Sequence, residues 1–147
     1  MFLLDTNIVS LFDASRRREA SEFLEWGRRN HRALYFSVVT LMEMESGILN
    51  LRRQGKDRRA DELAAMAGGL LQEFGDRVLP VTASVALAVA RMESHVIPLV
   101  IDLPDLIVAA TAQVHGLTVL TRNVRHFRPT GVAFIDPLAE LPPRVAP

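Results

Sequence analysis

Short apolar runs recur along this chain, and each ends on a polar side chain able to hold a metal. Phe2-Leu3-Leu4 leads into Asp5-Thr6-Asn7, the largely apolar stretch 34–39 leads into Thr40-Leu41-Met42-Glu43, and Val119-Leu120 leads into Thr121-Arg122-Asn123. Asp105 follows Pro104 at the start of a helical stretch. Runs this short, separated by stretches with helical periodicity, predict buried strands alternating with helices, and hence a parallel sheet with helices on its faces. In an open sheet of that kind the carboxyl ends of the strands face one crevice, where ligands bind. Asp5, Glu43, Asp105 and Asn123 therefore converge although they lie far apart in sequence. Carboxylates gathered without a balancing cation are unfavourable, so a divalent ion is their natural occupant. The constellation points to metal-assisted phosphodiester hydrolysis.

Periodicity supplies the rest of the plan. Residues 17–29 read as a helix with Ala20, Phe23, Leu24 and Trp26 on its apolar stripe. Residues 40–54 and 57–74 read as two long helices joined near Gly55, a hairpin projecting from the sheet, with Gly68-Gly69 marking a bend in the second. A strand over 77–81, a helix over 83–92, a helix over 106–115 closed by Gly116, and strands over 117–121 and 132–135 complete the pattern. The 147 residues, 49% of them hydrophobic, suit one domain over 1–136 followed by an irregular tail, 137–147, that carries four prolines.

Composition narrows the class. With no cysteine, disulfides and thiolate metal sites are excluded and a reducing compartment is expected. No apolar run approaches the roughly 18 residues of a membrane helix, and the N-terminus has no basic stretch of a signal peptide, so a cytoplasmic location and no membrane association are expected. Net charge is zero, but Lys56 is the only lysine, and arginines cluster at 16–18, 28–29, 52–53 and 58–59, with Arg122, Arg125 and Arg128 around Asn123. Arginine's planar fork suits phosphate, and Arg122 and Arg125 are candidate phosphate ligands beside the proposed site. The other clusters also read as solvated helix faces.

Each acid has an ordinary explanation too. Asp5 can cap the helix that follows it. Thr40 to Glu43 has the form of a capping box. Asp105 complements a helix dipole. Asp102 is read as a loop acid in preference to a supplementary ligand. Asn123 can open the short helix 124–127, and Thr6, Asn7 and Thr121 are donors placed to hold the acids from behind. Four polar positions at the same kind of junction exceed what capping explains. A nucleotide-binding alternative fails, since neither a glycine-rich dinucleotide loop nor a Gly-Lys-Ser/Thr loop follows any strand. The histidines, His31, His95, His115 and His126, are scattered, and no catalytic role is expected of them.

The motifs Leu-Leu-Asp-Thr-Asn (3–7), Ser-Val-Val-Thr-Leu-Met-Glu-Met-Glu-Ser-Gly (37–47), Pro-Asp-Leu-Ile-Val-Ala-Ala-Thr-Ala (104–112) and His-Gly-Leu-Thr-Val-Leu-Thr-Arg-Asn (115–123), in this order, resemble the PIN-domain ribonucleases, specifically the VapC/FitB-type toxins of bacterial type II toxin–antitoxin pairs. The resemblance runs from Phe2 to about Pro137. It implies an α/β sandwich with a central parallel sheet and an endoribonuclease dependent on Mg²⁺ or Mn²⁺. The family's acidic positions fall on Asp5, Glu43 and Asp105, and its fourth falls on Asn123, which supplies an amide oxygen where an aspartate is common. It further implies an RNA substrate (tRNA among the candidates), a homodimer, and a small cognate antitoxin whose C-terminal arm blocks the site. The rival reading is a catalytically weak PIN-fold module that binds RNA or protein.

Overall fold

The computed structural model describes residues 1–16, 18–95 and 101–144. Within them, β1 (Phe2–Leu4), β2 (Leu34–Ser37), β3 (Val78–Leu79), β4 (Thr118–Leu120) and β5 (Phe134–Ile135) form a sheet in the order β3-β2-β1-β4-β5. Every neighbouring pair is parallel. From central β1 the chain builds outward on one side through β2 and β3, then returns to the other side for β4 and β5. The strand order thus reverses between β1 and β4, which is where an open parallel sheet opens a crevice. Leu4 lies opposite Phe36 on one side and Leu120 on the other, so Asp5, Ser37 and Thr121 all leave the sheet at the same edge.

Seven helices accompany the strands: α1 (Thr6–Val9), α2 (Ser21–Arg29), α3 (Val38–Arg53), α4 (Asp57–Phe74), α5 (Ala83–Glu93), α6 (Leu103–His115) and α7 (Val124–Phe127) among the described residues. Alternation along β1 divides the interior into two layers. Phe2 and Leu4 join a core with Ile8, Phe23, Trp26, Phe36, Leu70 and Phe74, supplied by α1, α2 and α4. Leu3 joins the opposite core with Val85, Met92, Leu106, Val108 and Val119, supplied by α5 and α6. Aromatic edges lock the first layer: Phe36 meets Phe74 at 4.8 Å and Phe2 meets Trp26 at 5.4 Å, both edge to face.

Several boundaries differ from expectation for local reasons. The first long helix begins at Val38 and not at Thr40, because Ser37 leaves β2 in extended backbone and its hydroxyl accepts from the Val39 amide at 3.2 Å. The capping box of Thr40 and Glu43 is therefore not formed; Thr40 is buried inside the helix. The helix expected over 17–29 is Ser21–Arg29, preceded by a 3₁₀ turn at Ala14–Arg16, and Arg17 lies outside the described residues. Helix α4 spans Gly68-Gly69 without interruption. The hairpin of α3 and α4 does not simply project, since Leu70 and Phe74 enter the core, while Leu71 is half exposed. Helix α6 starts at Leu103, capped by Asp102, and ends as expected at Gly116, whose φ of 63° is the left-handed conformation that favours glycine. The strand expected over 77–81 contracts to Val78–Leu79, because Arg77 belongs to a 3₁₀ turn. The tail has no helix or strand over 137–144, and residues 145–147 lie outside the described part. No helix among the described residues is long and apolar enough to cross a membrane.

Truncating the fully buried Phe36 leaves a cavity between sheet and α4, so Phe36→Ala should cost about 3–5 kcal/mol. Leu71→Ala, at an exposed position on the same helix, should stay within about 0.5 kcal/mol. Urea unfolding of the two variants beside the parent checks both.

Candidate metal-binding acid cluster

Asp5 stands at the end of β1 and caps α1. Its backbone N–H donates to Leu120 O at 3.0 Å, which extends the β1–β4 pairing by one step. The side chain is 2% exposed and receives three donors: the Thr6 amide at 2.7 Å on Oδ1, and the Asn7 amide at 2.6 Å and the Thr121 hydroxyl at 2.7 Å on Oδ2. Asn7 in turn accepts from the Arg122 amide at 3.1 Å, and the Thr121 hydroxyl accepts from the Asn123 amide at 2.9 Å. The capping expected of Asp5 is made by Oδ1, while Oδ2 is held by Asn7 and Thr121. Thr6, Asn7 and Thr121, expected as supporting donors, all reach the cluster.

Glu43 reaches the same crevice from the second turn of α3. Its Oε2 accepts the Thr6 hydroxyl, which also lies 3.4 Å from Thr40 Oγ1. Starting the helix at Val38 makes this possible: Glu43 faces α1 and is not spent on its own helix terminus. Asp105 sits in the first turn of α6. Asp102, expected in a loop, is instead the cap of that helix and accepts the Asp105 amide at 3.1 Å. With its terminus satisfied by Asp102, helix α6 leaves the Asp105 carboxylate free for the crevice.

Asn123 occupies the cap position of α7 but makes no side-chain cap bond. Its amide points at Asp105 Oδ2, 3.1 Å away. His126, one turn further, brings Nδ1 to 2.6 Å from the same oxygen. The sequence did not single out His126, yet it is three-quarters buried against an acid of the cluster. The spacing Asn123-x-x-His126 places both side chains on one face of a helical turn, and that signal was present in the sequence. Arg122 has its guanidinium 3.1 Å from Glu19 in a half-exposed pair, and Arg125 is exposed beside it.

Charge is the dominant feature of the crevice. Burial, aided by the nearby charges of Asp105 and Glu43, pushes the Asp5 carboxyl up to about 6 against the lowering effect of its Thr121 bond. Asp105 is also raised, first by burial and then by Asp102, against the opposing hydrogen bonds from His126 and Asn123. The donors that reach Asp5 are all neutral. Oxygen ligands, buried negative charge and neutral support fit a hard divalent cation. Among the described residues, no three acids or histidines stand close enough to hold one ion as placed, so ligation requires side-chain rotation.

This acid-edged crevice at the strand-order reversal of a five-stranded parallel sheet is matched by a known family. The PIN domain family model matches residues 2–131, and the chain belongs to that family. Plasmid stability protein StbB of Pseudomonas syringae pv. tomato is 34% identical over 93% of this chain and 98% of its own length. VapC ribonuclease Y4jK of Sinorhizobium fredii is 31% identical over 93% of this chain and 97% of its own, and Toxin FitB of Neisseria gonorrhoeae 30% over 93% and 98%. The crystal structure of FitAcB from Neisseria gonorrhoeae superposes with a TM-score of 0.78 at 28% identity, covering 93% of this chain and 98% of that one.

The raised Asp5 makes a signed prediction. Its folded-state value lies above the ordinary aspartate value of 3.8, so the folded protein binds the proton more tightly. The associated stability is fully present below about pH 4 and is lost as pH rises through about 6. Metal-free protein should lose roughly 3 kcal/mol across that window relative to Asp5→Asn, and saturating Mg²⁺ or Mn²⁺ should restore it above pH 6. Urea unfolding against pH, with EDTA or metal, measures both effects; parallel pH profiles for the parent and Asp5→Asn would contradict them.

Proposed function

We propose that this chain is the toxin of a type II toxin–antitoxin pair, a divalent-metal-dependent endoribonuclease. The observation that carries the reading is the convergence of Asp5, Glu43 and Asp105 on one crevice, with Asp5 raised chiefly by its burial and further by the charges of the other two. Family membership and toxin relatives over nearly the whole chain support it.

Asp5 and Asp105, with Glu43 directly or through water, would hold Mg²⁺ or Mn²⁺. Bound there, the cation supplies Lewis acidity toward phosphate oxygens and a more acidic water for in-line attack. Glu43, tethered at Oε2 by Thr6, keeps Oε1 to take the proton of the attacking water. His126 and Asn123 grip Asp105 Oδ2 and fix the direction in which Oδ1 points, as partners behind metal ligands commonly do. Arg122 and Arg125, close to Asn123 in sequence, are the candidate phosphate ligands. The exposed pair of Arg122 with Glu19 is weakly held, so the guanidinium can turn to the scissile phosphate. Attack on phosphorus with departure of the 3′ oxygen leaves a 5′-phosphate and a 3′-hydroxyl.

Association follows the same reading. A small antitoxin is the expected partner, with an arm that fills the crevice. A homodimer fits the exposed Met42 and Leu49, which stand two turns apart on one stripe of α3.

Antitoxin-free protein should cut total tRNA or structured RNA with Mg²⁺ or Mn²⁺ and not with EDTA, and Asp5→Ala should fall to background. His126→Ala should lower activity or metal affinity by about 10–100-fold. A folded parent that cuts no RNA in any metal would refute the enzymatic reading and favour a binding role.

A further inference from the structure

A cavity of about 210 Å³ opens beside the acid cluster, between the segment after α1 and the α3–α4 hairpin. It shares Thr6 and Glu43 with the crevice, so an occupant lies next to the reacting centre. Met44, Ile48 and Met66 make an apolar wall, and Asp13, Arg16 and Arg59 form the polar end. The metal chemistry uses none of these side chains.

The polar end is a built feature. Asp13 is 7% exposed and paired at Oδ2 with Arg59, while its Oδ1 accepts the Ser15 amide and hydroxyl, each at 2.9 Å. Burial alone would raise this carboxyl, but the bonds from Arg59 and Ser15 hold it below the usual range, so it stays charged. Arg59 also reaches Glu62 at 3.1 Å, and Arg16 donates to the Ser10 hydroxyl at 3.1 Å. Asp13 and Arg59 are thus committed to one another, to Ser15 and to Glu62, and the exposed Arg16 guanidinium stands as the open donor at the end of an apolar slot.

Guanine matches that arrangement. It offers O6 and N7 as paired acceptors for an arginine fork, here that of Arg16. Its flat face can lie against a wall of methionine and isoleucine, as extruded bases lie between apolar side chains in enzymes that seat a single base. The volume is below that of pockets for drug-sized ligands, and so suits one base and not an oligonucleotide.

We infer that this cavity is a guanine-binding subsite that seats one base of a single-stranded RNA beside the scissile phosphate and so sets where the strand is cut. The inference rests on the nuclease reading for its RNA source, whereas recognition of the base can be tested separately.

Gly47 provides the means. It lines the cavity one turn after Glu43, and a Cβ built there meets nothing within 4 Å. Gly47→Leu should fill the slot without unfolding the helix, since any non-glycine residue favours a helical interior, and Gly47→Ala leaves the slot open. Binding of guanosine, adenosine, cytidine and uridine 5′-monophosphates to the full chain in EDTA tests base recognition. The guanine nucleotide should bind at least about 10-fold tighter than the others in the parent and in Gly47→Ala, with that preference lost in Gly47→Leu. Oligoribonucleotides with a single guanine moved along a fixed sequence test the RNA source. Cuts should track the guanine in the parent and lose that register in Gly47→Leu. Equal affinity for the four nucleotides, or an unchanged preference in Gly47→Leu, overturns the subsite. Cutting without guanine register overturns it while leaving the nuclease intact. Guanine preference with no cutting of any oligonucleotide would sustain base recognition and sink the nuclease reading instead.

Discussion

A buried carboxylate without a cationic partner among its hydrogen bonds is the constraint around which this molecule is arranged. Asp5 closes β1, extends the pairing to β4 through its backbone, and receives Thr6, Asn7 and Thr121 on its two oxygens. Those neutral donors orient the group and partly offset the cost of burial, yet the carboxyl is still raised to about 6. The fold therefore holds an electrostatic strain that, on the proposed nuclease reading, a divalent cation would relieve. The network that ties β1 to β4 is also the one that orients this acid.

The other acids depend on helix starts for their aim. Ser37 begins α3 early enough for Glu43 to face Thr6 across the crevice. Asp102 satisfies the start of α6, so Asp105 is released toward Asn123 and His126. In both cases a nearby polar side chain takes the structural duty of capping and a second acid is left to face the crevice. At Asp5 one residue caps α1 through Oδ1 and receives Asn7 and Thr121 on Oδ2.

Much of this was legible in the sequence. Short apolar runs ending in polar residues gave the parallel sheet, and Leu4 abreast of Phe36 and Leu120 shows why those ends align. Gly116 marked the end of α6 because only a left-handed residue closes it without strain. Thr40 misled because a capping box and a mid-helix Thr-x-x-Glu share the same spacing; which threonine or serine caps depends on where β2 stops, and that is set by pairing with a distant strand. His126 was missed because its importance comes from an oxygen 21 residues away, brought near only by the packing of α6 against α7. The reach of Arg59 to Asp13 across 46 residues had no local signature at all.

Calorimetric titration of metal-free protein with Mn²⁺ near pH 6, in buffers of different ionisation enthalpy, addresses the central claim most directly. The account predicts saturable binding accompanied by proton release, with the released proton and most of the affinity lost in Asp5→Asn. Absence of binding, or binding that releases no proton and is unchanged in Asp5→Asn, would contradict it.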